Sequence, residues 1–250
     1  MKFNLCIPIP IRFKSVRDAI PTINKAIDSK PNLIELRFDY ITDLKNISLD
    51  FIKGLLNIIH PNTAVIFTFR DSSEGGQFKI DQIARFEILK MLIDTKPDYL
   101  DIEMNTDMSI LKEILYLALQ NEVKIIFSYH NFEKTMTFDD SIKFIQEFKE
   151  KLNQELPLDS KMPKENIYKI IFTAQNYEDN LISLRICKEL SKSNQKIISF
   201  CMGPLGVLSR ILCVLAGSFL TYASLDEETA PGQINIDEMK EIYNLTLNNF

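Results

Sequence analysis

The chain has 250 residues, 46% hydrophobic and 25% charged, with a net charge of −5 and no basic block. That balance describes a globular protein with chain enough for a large core, and it argues against a nucleic-acid-binding surface. Four cysteines (Cys6, Cys187, Cys201 and Cys213) lie far apart with no C-x-x-C pair, which argues against a zinc site or a disulfide framework and suits a reducing compartment.

The first element is strand-like, over residues 3–8. Its surroundings, MKFNLCIPIPIRF, hold an apolar run too short and too proline-rich for a secretory signal. No later segment approaches the roughly 18 uninterrupted apolar residues of a membrane span, so a cytoplasmic protein is expected. Further strand-like runs follow at residues 32–39, 63–70, 99–104, 124–130, 167–174, 196–202 and 219–225, each short and rich in Ile, Val or Phe or otherwise apolar. Helical spacing separates them. Ile83, Phe86, Leu89 and Ile93 form one apolar stripe; Ile110, Ile114, Leu117 and Ala118 a second; Ile142, Ile145, Phe148 and Leu152 a third. A last helix starts near Ile236, with Asp237 and Glu238 where acidic side chains favour the helix dipole. His60, in IIHPN, reads as a helix-end or surface residue. Residues 153–165, NQELPLDSKMPKE, read as a long helix-to-strand connection on the face opposite an active site.

Eight strands alternating with about eight helices predict parallel β-α units. The count and the length fit one (β/α)8 barrel over residues 1–250, with a doubly wound open sheet as the alternative.

Side chains alternate across a strand. Ile34, Leu36 and Phe38 oppose Glu35, Arg37 and Asp39. Val65, Phe67 and Phe69 oppose Ile66, Thr68 and Arg70. Leu100, Ile102 and Met104 oppose Asp101 and Glu103. Ile125, Phe127 and Tyr129 oppose Ile126, Ser128 and His130, and Tyr168, Ile170 and Phe172 oppose Lys169, Ile171 and Thr173. An antiparallel sheet with one wet face would give the same pattern, but helical connections favour a parallel barrel with the polar set inside. Glu35, Arg37, Arg70, Asp101, Glu103, His130 and Lys169 would then gather near strand C-termini, where barrel active sites sit.

Lys169 lies within the apolar strand NIYKIIFTA. A buried ammonium costs several kcal/mol unless it is paired or loses its proton. Beside cations such as Arg37 and Arg70 it is expected to shed the proton, and an uncharged amine forms a Schiff base with a ketone or aldehyde. His130, ending the preceding strand, could move a proton next to it. The alternative is a salt bridge from Lys169 to Glu103 or Asp101.

These residues stand in a pattern that resembles type I 3-dehydroquinate dehydratases over nearly the full chain. The resemblance rests on IELRFD, TFRDSSEGG, SYHNF, the lysine in YKI, MGPLGVLSR and APGQI, in that order. It implies a (β/α)8 barrel acting without cofactor or metal on 3-dehydroquinate, as a homodimer. Lys169 would condense with the C3 ketone. His130 would act as general acid and base, and Glu74 would orient it through an ion pair. Arg210 matches the carboxylate-binding arginine. Thr229 and Gln233 match residues closing over the substrate, Glu35, Arg37 and Arg70 the hydroxyl-binding set, and Met202 and Tyr222 the apolar walls. Thr229 replaces a common Ser and Tyr222 a usual Phe. Each residue also has a plainer reading: Glu35 could pair with Arg37, Arg210 could be a solvated helix residue, and Gly75-Gly76 an ordinary turn. A Schiff-base aldolase of the transaldolase type, with an anion site at residues 202–206, and a non-catalytic binding barrel are the rival functions.

Overall fold

In the computed structural model, which describes residues 3–155 and 166–247, parallel strands alternate with helices through the described residues. The order is β1 (Leu5–Pro10), α1 (Val16–Asp28), β2 (Leu33–Arg37), α2 (Leu49–Ile59), β3 (Ala64–Thr68), α3 (Gln82–Asp94), β4 (Tyr99–Glu103), α4 (Met108–Gln120), β5 (Lys124–His130), α5 (Phe138–Glu155), β6 (Ile167–Thr173), α6 (Asp179–Lys192), β7 (Ile197–Met202), α7 (Val207–Leu212), β8 (Thr221–Tyr222) and α8 (Ile236–Leu247). The strands form one sheet in the order β7-β6-β5-β4-β3-β2-β1-β8. Its two ends approach each other, with the Phe219 N–H donating to the Ile197 carbonyl at 2.6 Å. This is a nearly closed (β/α)8 barrel. The sequential strand order excludes the doubly wound sheet, and the parallel pairing excludes the antiparallel one.

Two strands differ from the sequence expectation. β1 runs through Pro8 to Pro10, although proline donates nothing to a ladder. The register shows why this is tolerated. Asn4 and Cys6 turn their carbonyls to β8, bonding Thr221 and Ala223, so Pro8 and Pro10 share the parity that faces beyond that short strand. Toward β2 the ladder is intact, with the Ile11 N–H reaching the Arg37 carbonyl at 3.0 Å. β8 shrinks to two residues because Ser224 already turns away to bridge Asn235 in the loop before α8.

Side-chain caps start the helices. Ser48 accepts from the Phe51 N–H, Asp81 from Ile83 and Ala84, and Asp107 from Ser109. Four helix-to-strand turns use a left-handed residue other than glycine: Lys30, Lys96, Glu122 and Asn194. The outward strand residues Leu36, Phe67, Ile102, Phe127 and Ile170 are fully buried against the helices. On α3 the buried face is Arg85, Ile88, Leu89, Leu92 and Ile93; Ile83, expected on it, sits in the first turn and is 76% exposed. α5 extends to Glu155, and the rest of the connection expected at 153–165 lies outside the described residues. His60 is the C-terminal cap residue of α2, with Nε2 3.0 Å from Asp98. No helix among the described residues is long and apolar enough to cross a membrane.

Candidate active site

The inward residues at the strand C-termini form a buried charge network centred on Arg70, just past β3. Its Nη1 donates to Glu103 Oε1 and to Ser128 Oγ, both at 2.6 Å, and Nη2 donates to Asp101 Oδ1 at 2.8 Å. Arg85 of α3 binds the other Glu103 oxygen and the Phe69 carbonyl. Burial opposes the charge on Arg70, but Asp101 and Glu103 hold its pKa well above the usual value. Burial alone would raise Asp101; Arg70 and Lys169 instead hold it well below the usual carboxylate range.

Lys169 stands at the edge of this network and is 4% exposed. Its Nζ donates to Asp101 Oδ2 at 2.9 Å and to Tyr222 Oη at 3.1 Å, with Glu35 Oε1 at 4.0 Å. The atoms in contact are therefore an anion and a hydroxyl, not the cations that strand parity suggested. Arg70 lies on the far side of Asp101. The ion pair is with Asp101 because Glu103 is already held by the two arginines. Glu35 accepts from Thr68 Oγ1 at 2.6 Å, while Arg37 makes two bonds of 2.8 Å to Asp39. A Glu35–Arg37 pair does not form, because the short 3-10 turn of residues Phe38–Tyr40 brings Asp39 back under the guanidinium.

His130 ends β5. Glu74 reaches it from the loop after β3 through a 3-10 turn, Ser72–Glu74, closed by Gly75 at φ +84°. A side chain at Gly75 would also strike the Phe132 ring, and one at Gly76 would strike the Arg70 carbonyl, so this glycine pair is required by close approach as well as by the turn. Glu74 Oε2 accepts from the His130 backbone N–H at 2.9 Å and lies 3.0 Å from Nδ1, leaving Nε2 for the cavity. Glu74 Oε1 accepts from Asn105 at 3.2 Å. Burial, then Arg70 and Lys169, push the imidazole pKa well below its usual value. Burial also pushes Glu74 up to about 8, against the pull of Arg70. The expected ion pair is thus a hydrogen-bonded pair whose separated charges are disfavoured on both sides.

Arg210, in α7, is not a solvated helix residue. It is 1% exposed, and among the described residues it has no carboxylate partner within ion-pair distance. Nη2 donates to the Pro231 carbonyl at 3.3 Å, the guanidinium lies 4.4 Å from the centre of the Phe200 ring, and Nε is buried without a partner. Burial lowers its pKa to about 10. A buried cation with an unused donor is poised for an anionic ligand. Thr229 and Gln233 bond each other across the loop before α8, through Gln233 Oε1 and the Thr229 N–H at 2.8 Å and Gln233 Nε2 and Thr229 Oγ1 at 3.0 Å. Tyr222 is not only an apolar wall, since its hydroxyl touches Lys169.

Glu35, Arg37, Arg70, Glu74, His130, Lys169, Met202, Arg210, Tyr222, Thr229 and Gln233 all line one cavity of about 300 Å³ at the strand C-termini. Gly75, Gln77, Phe132, Ile171, Phe200, Ala230 and Pro231 complete it. Strand parity put Asp101 inside, and the sequence offered it, with Glu103, as an alternative salt-bridge partner of Lys169, the contact the structure shows. Thr68 and Ser128 shared that parity but carry no charge to mark them, and Arg85 gave no signal because it is a lone arginine in a helix. Among the described residues no group of three or more His, Cys, Asp or Glu side chains is arranged to hold a metal ion.

A buried lysine, a carboxylate-held histidine and an arginine without a carboxylate partner, gathered in one cavity of a parallel barrel, form a set that can bind an anionic carbonyl compound and act on it. The model of the family described as type I 3-dehydroquinase matches residues 6–249, and the chain belongs to that family. A 3-dehydroquinate dehydratase of Thermococcus onnurineus is 32% identical over 224 residues, covering 90% of this chain and 92% of that one. One from Listeria innocua is 29% identical over 248 residues, covering 96% and 91%. The solved type I enzyme of Clostridium difficile superposes with a TM-score of 0.83 at 26% identity, covering 100% of this chain and 94% of that one. The Geobacillus kaustophilus enzyme, at 22% identity and a TM-score of 0.85 over 99% and 92% of the two chains, shares the fold.

Proposed function

We propose that this cavity carries out the reaction of the family, the dehydration of 3-dehydroquinate to 3-dehydroshikimate through a lysine Schiff base, with the residues acting as follows. Lys169 attacks the C3 ketone as a free amine. The ketone oxygen leaves as water and an iminium forms. The iminium withdraws electrons from C2, so a C2 proton becomes removable. His130 takes it at Nε2, which is basic when Nδ1–H is donated to an ionised Glu74. The resulting imidazolium returns the proton to the C1 hydroxyl, which departs as a second water. Hydrolysis of the imine frees the product and Lys169.

Arg210 binds the substrate carboxylate, where its unpaired buried guanidinium gains the counter-charge it lacks. Glu35, Arg37 and Arg70 bind ring hydroxyls. Met202 packs on the ring, and Thr229 and Gln233 close the mouth. The single observation that carries this reading is Lys169 Nζ, buried and held by Asp101 in the same cavity as the Glu74–His130 pair. The aldolase reading is weaker. Its anion site would sit at residues 202–206, where Gly203 begins a short turn rather than a long helix, and the family is that of the dehydratases. The same reading carries one barrel domain, a homodimer and a cytoplasmic location.

The test is borohydride trapping with 3-dehydroquinate, followed by intact mass and peptide mapping. One reduced adduct on Lys169, absent from Lys169→Ala, is the expected result. An adduct elsewhere, or dehydration surviving in Lys169→Ala, overturns the assignment.

A further inference from the structure

Lys169 makes one contact that the reaction scheme above leaves unused, the 3.1 Å bond from its Nζ to the Tyr222 hydroxyl. A primary amine has four directions around nitrogen: the bond to Cε, two N–H bonds and the lone pair. Asp101 Oδ2 at 2.9 Å takes one N–H. Tyr222 Oη takes the other. The remaining direction, that of the lone pair, is then fixed by the protein before any ketone arrives.

The geometry points to Tyr222 as the positioning residue that aims the attacking lone pair of Lys169, an inference that rests on the Schiff-base reading above. The phenol suits this task. It is 4% exposed, and burial, reinforced by Glu35, keeps its proton in place, so the oxygen accepts from the amine without becoming a phenolate. Its ring is also held apart from that bond, with its centre 6.2 Å from the Phe200 ring. With Asp101 as its only partner the amine is less firmly aimed. One hydrogen bond leaves the amine free to rotate about it, and misdirected attack is slow even when the groups are close.

Tyr222→Phe tests this, because phenylalanine keeps the ring and removes only the oxygen. Rapid quenching with borohydride reads the rate of imine formation in a single turnover. Substrate deuterated at C2 reads proton removal. Imine formation is expected to slow about tenfold or more with KM little changed. The isotope effect on kcat should shrink toward unity as attack becomes limiting. Tyr222→Leu, lacking ring and oxygen, should be slowed at least as much, and the unfolding midpoint of Tyr222→Phe should match the parent. An unchanged rate of imine formation in Tyr222→Phe overturns the positioning role while leaving the Schiff-base reading intact. A parent protein that forms no adduct overturns both.

Discussion

Glu74→Gln separates what the Glu74–His130 pair does for catalysis from what it does to stability. The folded-state pKa of Glu74 is raised from 4.5 to about 8 by burial. A raised carboxyl contributes fully below its unfolded value, and that contribution is lost as pH rises through the folded one. At about 1.36 kcal/mol per unit, holding this group inside works against the fold by about 4 kcal/mol more at pH 8 than at pH 5. Glutamine has the shape of the protonated acid, can still accept from the His130 N–H and never ionises. Denaturant unfolding of parent and variant should therefore show a stability difference that is small near pH 5 and grows by about 4 kcal/mol in favour of the variant near pH 8. The reaction should suffer in the opposite sense. In the proposed mechanism His130 is a base at Nε2 only when Glu74 is ionised, so kcat/KM of the parent should climb with pH to a plateau above about 8. The variant should lack that rise and fall by about 10²-fold or more on the plateau. A stability difference that does not change between the two pH values would refute the raised pKa and the mechanism built on it.

Two further substitutions probe the other ends of the cavity. His130→Ala should still yield the reduced Lys169 adduct with borohydride but turn over about 10²–10⁴-fold more slowly, with the imine accumulating in the steady state; loss of adduct formation would mean that the histidine is needed for attack rather than for the C2 proton. Arg210→Met removes a buried cation without a carboxylate partner, so it should raise KM strongly while stabilising the fold by about 1–3 kcal/mol, read by saturation kinetics and denaturant unfolding; a destabilised variant would mean that the guanidinium is structurally paired.

Much of this arrangement could be read from strand parity. Period-two alternation put Glu35, Arg37, Asp101, Glu103, His130 and Lys169 on one face, and a parallel barrel turns that face inward. The partners within the face were not legible, because they depend on contacts between strands and on turns that leave the strands. Arg37 finds Asp39 only because a 3-10 turn follows β2. Arg85 reaches Glu103 from a helix whose spacing gave no sign that an arginine would be its most inward polar residue. The Tyr222 hydroxyl meets Lys169 across the barrel interior, a contact between strands that do not pair, so sequence pattern alone leaves only the ring to be interpreted. β8 was overextended for a related reason. Its apolar run continues past Tyr222, but Ser224 is claimed by Asn235 from the loop that carries Thr229 and Gln233.

Asp101 is shared between two cations of different character. Arg70 never gives up its charge, whereas Lys169, acting as the proposed Schiff-base nucleophile, would alternate among ammonium, free amine, neutral carbinolamine and iminium in every turnover. Were the lysine its only partner, Asp101 would be left as a solitary buried anion each time the amine became neutral, and the floor of the cavity would have to relax or admit water. The permanent bond to Arg70 removes that demand. The floor can stay electrically satisfied and still through the whole cycle, and motion is needed only at the rim, where substrate enters and product leaves.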